Sequence, residues 1–120
     1  MKKSTKKCST GNVPKKGWPV MFTLLHLQNE QGAWSDVVMK GQPIKAKIRH
    51  LMREVREMLK DPKDLVEHAD VLLLLLDINR LCGFTADQLM LAASAKLAVN
   101  KARKWNPPDK DGCITHVKGT

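Results

Sequence analysis

Apolar residues recur at helical rather than alternating spacing along most of the chain. Phe22 and Leu25, with other apolar residues near the same period, predict a first helix over residues 18–33 that fades around Gly32. Trp34-Ser35-Asp36 and Lys40-Gly41-Gln42-Pro43 then read as an irregular connection. Ile44, Ile48, Leu51, Val55, Met58 and Leu59 form an apolar stripe that predicts a second helix over 44–60. Capping chemistry marks the next break: Asp61 suits an N-cap, Pro62 a first helical position, and Asp64 stands three residues beyond the cap. The third helix, over 62–82, is apolar on every side from Val71 to Leu76, which predicts burial all round. Gly83 supplies its stop. Thr85, with Gln88 at the matching capping-box position, opens a fourth helix that runs to about Lys104 and is halted by Pro107-Pro108. Beyond it lie an Asp111-Gly112 turn and a short extended piece, Cys113 to Val117. The expected fold is all-α, with four helices.

The candidate chemistry clusters at the break between the second and third helices. Glu54 and Glu57 precede it, Glu67 and Asp70 follow it, and each pair is spaced i, i+3, on one face of its helix. If the two helices fold back on each other, four carboxylates meet. Such a group repels itself and calls for cations, and hard oxygen donors favour Mg2+ or Mn2+. The competing reading is a solvated face on which Arg53, Arg56 and Lys60 are ordinary partners. Against it stands the run VLLLLL directly after Asp70, because acids at the entrance to a buried helix need a reason.

Composition narrows the class. The 120 residues suffice for one domain with a modest core, and few aromatics beside abundant Leu, Met, Ala and Val favour helices. The formal charge of +9 is concentrated at the start: residues 1–17 hold six lysines and no acid. The other 15 basic and 12 acidic residues leave residues 18–120 at only +3. The chain therefore divides into a disordered Lys-rich tail, 1–17, and a domain, 18–120, with nucleic-acid contact expected only through the tail. Cys8, Cys82 and Cys113 are odd in number and widely spaced, which excludes a disulfide framework or zinc cluster and fits a cytoplasmic protein. No apolar run reaches the ~18 residues that a membrane span needs. Walker, Gly-x-Gly-x-x-Gly, Gly-x-Ser-x-Gly and His-Glu-x-x-His motifs are absent.

Four further features have two readings each. Lys96, Asn100 and Arg103 share one face of the fourth helix and offer an ammonium, an amide and a guanidinium, which suits phosphate oxygens; the alternative is a basic C-terminal half-helix that complements the helix dipole. His50 falls on the face of Glu54 and Glu57, where it either reaches a metal-bound water or phosphate or bonds Glu54. Trp34 either packs in the core, as large aromatics usually do, or stacks on a base. Asp77 shares the face of Asp70 and is either a further metal-site residue or the structural partner of Arg80 or Lys96. The apolar run of the third helix exceeds what so small a monomer can bury, so a homo-oligomer, dimer or tetramer, is expected.

These residues together resemble a known family. Glu54-x-x-Glu57 followed by Glu67-x-x-Asp70 is similar to the metal motif of the MazG-type all-α nucleoside triphosphate pyrophosphohydrolases. His50-Leu51, Asp61-Pro62-x-Asp64, Leu75-x-Asp77, Gly83, Lys96-Leu97-x-x-Asn100-Lys101-x-Arg103-x-Trp105, Trp34-Ser35 and His116-Val117 resemble the phage-associated dATP/dGTP pyrophosphohydrolase branch. The resemblance covers roughly residues 20 to 118. It implies a MazG-like four-helix bundle that hydrolyses a (deoxy)nucleoside triphosphate to the monophosphate and pyrophosphate. It also implies that Glu54, Glu57, Glu67 and Asp70 hold Mg2+ or Mn2+, with Glu54 and Glu57 catalytic and Glu57 able to orient the attacking water. Lys96, Asn100, Arg103, His50 and Trp34 would bind the substrate. Two other classes stay open: a catalytically silent helical interaction module, and a small basic nucleic-acid binder that works through its tail.

Overall fold

Four α-helices and no strand form among the residues that the computed structural model describes, 23–120. They are α1 (Leu24–Val38), α2 (Ile44–Lys60), α3 (Leu65–Leu81) and α4 (Ala86–Ala102). The Lys-rich segment 1–17 and the expected start of the first helix, 18–22, lie outside the described residues. The chain forms two compact units, one ending at Asp87 and the other spanning 88–120.

In the first unit α3 packs against both α1 and α2. Thr23 caps α1, its hydroxyl accepting from the His26 amide at 3.0 Å. The helix does not fade at Gly32 but continues to Val38, so Trp34, Ser35 and Asp36 are helical and not a loop. Gly32 is a packing residue: a Cβ there would stand 2.5 Å from the Arg80 Cδ and Nε. The sequence reads a glycine as a stop, whereas the fold uses it to let α1 approach an arginine of α3.

The α2 bounds agree with the stripe that predicts them, but of that stripe only Leu51 and Met58 are part-covered. Its buried residues are Lys47 and Glu54, while Ile44, Ile48, Met52, Val55 and Leu59 are exposed. The cap of α3 also differs from expectation. Asp61 closes α2, its amide donating to the Glu57 carbonyl at 3.2 Å, and Asp64 is the N-cap, accepting from the Val66 amide at 3.0 Å. The Asp64 amide donates to the Asp61 carbonyl at 3.1 Å, which closes a turn between the two helices. The helix therefore begins at Leu65, after Pro62 and Lys63 have made the turn.

Within α3, Leu74 and Leu76 are buried, but Leu72 and Leu75 keep 37% and 41% of their surface exposed. The expected burial all round is not reached in one chain, because neighbouring helices cover only part of the α3 circumference. Gln28 and Asn79, both buried polar residues, secure the turn after α3. The Asn79 amide donates to Gln28 Oε1 at 3.0 Å and to the Phe84 and Thr85 carbonyls at 3.2 Å. Gly83 takes φ +89°, a left-handed conformation that favours glycine.

The second unit joins α4 to the C-terminal segment. Trp105 and His116 form an isolated antiparallel bridge, with Asn106 N donating to Thr115 O at 2.8 Å and Val117 N to Lys104 O at 2.7 Å. Gly112, at φ +80°, makes the expected turn between them. Met90, Leu91, Leu97 and Val99 of α4 are exposed.

Candidate active site

The short Asp61–Asp64 turn makes α2 and α3 antiparallel. A contact of 2.7 Å between His68 Nε2 and the Pro62 carbonyl braces it from the α3 side. The fold-back brings Glu54 of α2 to Glu67 and Asp70 of α3. One carboxylate oxygen from each lies within 4.8 Å of the others, and among the described residues these three form the metal-ready group. Glu54 and Glu67 are buried and Asp70 is half-buried. Three carboxylates this close repel one another, more strongly as water is excluded. Hard, convergent oxygen donors in a partly dry setting fit Mg2+ or Mn2+.

Glu57 is outside this group. It is half-buried one turn further along α2, with Oε1 3.7 Å from Lys60 Nζ. Of the four acids singled out from the sequence, the structure thus joins three and leaves the fourth beside them.

A cleft of about 540 Å³ opens next to the carboxylates, lined by Trp34 and Val38 of α1 and by Arg49, His50, Arg53 and Glu54 of α2, among others. Trp34 is 50% exposed at its wall, so the core-packing reading of this residue is overturned. His50 takes the second of its two readings, with Nε2 3.3 Å from Glu54 Oε1, and its ring lines the cleft. Arg49 and Arg53 are additions that sequence reasoning missed. The signal available was their i, i+4 spacing next to His50 and Glu54, hidden in a helix already rich in basic residues.

In the second unit, Lys96 is exposed and Asn100 is half-buried on the same face of α4, and Arg103, half-buried, follows just after the helix ends at Ala102. Arg103 Nη1 lies 3.5 Å from Asn100 Oδ1, and its Nε donates to the Thr120 carbonyl at 3.2 Å. The Trp105 indole donates to the Asn100 carbonyl at 3.0 Å. The C-terminal segment thereby orders the guanidinium and the amide at the end of α4.

Asp77 is the centre of a separate polar network whose inner members, Asp77, Lys47 and Ser35, are buried. Lys47 Nζ donates to its Oδ2 at 2.6 Å and Ser35 Oγ donates to the same oxygen at 2.7 Å. Arg80 grips Oδ1 through Nη2 at 2.7 Å and Nε at 3.1 Å, and also pairs with Asp36 at 3.0 Å. Burial works to raise the Asp77 pKa, but hydrogen bonds from Lys47, Ser35 and Arg80 outweigh it and hold the carboxyl below its ordinary value. Burial likewise works to lower the Arg80 pKa, and Asp77 and Asp36 together raise it. Asp77 is therefore a structural partner of Arg80, one of the two partners the sequence offers, and of Lys47, which the sequence reading did not single out.

Comparison with known proteins agrees with this geometry. The dATP/dGTP pyrophosphohydrolase family profile matches residues 27–120. A dATP/dGTP diphosphohydrolase of cyanophage S-2L is 34% identical over 100 residues, covering 82% of this chain and 91% of the relative. Among solved structures, the MazG-like pyrophosphohydrolase of cyanophage S-2L, bound to dGDP and three catalytic Mn2+ ions per active site, superposes with a TM-score of 0.68 at 34% identity. That match covers 79% of this chain and 97% of the other. The four helices are those of a MazG-like all-α fold, and the chain belongs to the dATP/dGTP pyrophosphohydrolase family.

Proposed function

We propose that this protein hydrolyses dATP or dGTP to the deoxynucleoside monophosphate and pyrophosphate, with divalent cations held by Glu54, Glu67 and Asp70. The observation that carries the reading is the convergence of those three carboxylates beside a cleft walled by an open tryptophan. Glu54, Glu67 and Asp70 would hold Mg2+ or Mn2+, which would supply positive charge beside the phosphates and a more acidic bound water.

The chain's own residues supply the rest. Trp34 offers a ring face on which a purine can stack. Arg49 and Arg53 bring positive charge to the same cleft. His50, next to Glu54, is a donor within the cleft wall. Glu57, one turn from Glu54 and outside the three-carboxylate group, orients the attacking water in this reading. Lys96, Asn100 and Arg103 are donors for phosphate oxygens. The working form is a homo-oligomer, dimer or tetramer, which would cover the apolar residues that one chain leaves exposed on α2, α3 and α4. Among the described residues no helix is long and apolar enough to cross a membrane, and a host-cytoplasmic location fits the phage relatives.

The experiment is a panel of dATP, dGTP, dCTP and dTTP with product identification, run with Mg2+, with Mn2+ and with EDTA. Pyrophosphate and a monophosphate should appear from the purine substrates and vanish with EDTA. Glu54→Gln should abolish Mn2+ binding and activity together, whereas Glu57→Gln should lower kcat with Mn2+ affinity retained. Inorganic phosphate as the only product, or full activity of Glu54→Gln, would refute the reading.

A further inference from the structure

Lys47 and Asp77 form a buried ion pair in the middle of the unit that carries the carboxylates, with relative side-chain exposures of 2% and 0%. Neither residue belongs to the metal-ready group. Yet Lys47 stands seven residues before Glu54 on α2, and Asp77 stands seven residues after Asp70 on α3. On antiparallel helices this puts the ion pair and the Glu54–Asp70 approach at matching heights, two turns or about 10 Å apart. The two features share one helix–helix seam: attraction at one end and like-charge repulsion at the other.

The pair has a third member. Ser35 Oγ donates to Asp77 Oδ2 and accepts from Lys47 Nζ at 3.0 Å, so α1 is bound to the same point. Ser35 follows Trp34, the cleft wall. One buried node therefore fixes α1, α2 and α3 at once, and with them the wall and the carboxylates.

We propose that Lys47, Asp77 and Ser35 are positioning residues. They set the register in which Glu54 meets Glu67 and Asp70, and the setting of Trp34 against that group. The physical basis is directional. A buried ion pair is a poor source of net stability, since a well-packed apolar pair of similar volume commonly does as well or better. What it adds is intolerance of slippage, because a contact of 2.6 Å is lost by a shift far smaller than the 5.4 Å of one turn. Between helices whose facing carboxylates repel before cations bind, such a clamp keeps the site assembled.

The proposal rests on the cation-binding reading above, and the test separates the two. The full chain and its Lys47→Met/Asp77→Leu variant are compared by the thermal midpoint of the metal-free protein, by Mn2+ titration followed by electron paramagnetic resonance, and by kcat and KM. The expected result is a cooperative thermal transition in both proteins, with Mn2+ affinity at least tenfold weaker and a broadened Mn2+ spectrum in the variant. Equal Mn2+ affinity and spectrum in the two proteins would overturn the proposal. Should the double variant not fold, Ser35→Ala decides: it leaves the ion pair in place and should raise KM about tenfold with kcat and Mn2+ affinity kept. An unchanged KM would overturn the proposal. A parent that binds Mn2+ but hydrolyses no nucleotide would refute the functional reading alone, and the Mn2+ comparison would still decide the register.

Discussion

At the scale of residues, the molecule puts charge where a small core is expected to be apolar. Its largest fully buried side chains include Lys47, Asp64 and Asp77 beside Leu76. The three site carboxylates were legible because i, i+3 acids flanking a helix break form a pattern that one chain segment contains. Lys47 was not legible, because in Ile44-Lys45-Ala46-Lys47-Ile48 two lysines look equally solvated. Only the partner helix distinguishes them, as Asp77 meets Lys47 and not Lys45. The network gives a pH prediction with a definite sign. The folded Asp77 carboxyl lies below its ordinary value of 3.8, so its contribution to stability is complete above that value. It is lost as pH falls below 3.8 toward the lower folded value, when protonation leaves Lys47 buried against a neutral partner and Arg80 with Asp36 alone. Urea unfolding in EDTA should therefore show the parent losing stability relative to Lys47→Met/Asp77→Leu only below about pH 4. A gap that changes between pH 5 and 8 would assign the effect to other groups.

At the scale of elements, the number and order of the helices and the bounds of α2 were legible, while the end of α1 and the orientation of α2 were not. The apolar stripe located α2 to the residue, yet periodicity reports that a helix has two faces and not which one meets the core. Here the face carrying Lys47 and Glu54 turns inward, Lys47 to its ion pair with Asp77 of α3, while Ile44, Ile48, Val55 and Leu59 of the stripe turn outward. The same limit explains α1. A glycine reads as a stop until the arginine it accommodates, 48 positions later in Arg80, is known. The exposed apolar residues of α2 have an energetic consequence. Burying a side chain such as Met52 or Val55 contributes roughly 1.5–3 kcal/mol, so a face of several such residues favours association. Met52→Glu combined with Val55→Lys should shift the protein to a smaller species in sedimentation velocity at micromolar concentration, with helical circular dichroism retained. An unchanged sedimentation coefficient would remove α2 from the interface.

At the scale of the whole molecule, the family was legible because its motif is spread across the chain: acids on α2 and α3, then a Lys-Leu-x-x-Asn-Lys-x-Arg-x-Trp ending on α4 and beyond. The ending is also where local structure explains its own sequence. Trp105 holds Asn100 through the backbone, and the C-terminal segment returns to bond Lys104 and Arg103, so Asn100 and Arg103 are held in place by the chain itself. Lys96 has no such support; it is exposed, and its worth depends on contact with substrate. If it grips a phosphate oxygen, Lys96→Ala removes one charge-assisted hydrogen bond, about 1.5–3 kcal/mol, or roughly 10- to 100-fold in kcat/KM. Phosphates are common to every nucleotide, so the loss should be equal for each dNTP that is hydrolysed. Trp34→Ala should instead change the ratio of purine to pyrimidine rates, because stacking depends on the size of the base. Measuring kcat/KM for both variants across four dNTPs separates the roles. A base-selective loss in Lys96→Ala would place that lysine at the nucleobase, and parental rates throughout would leave it a solvated end of α4.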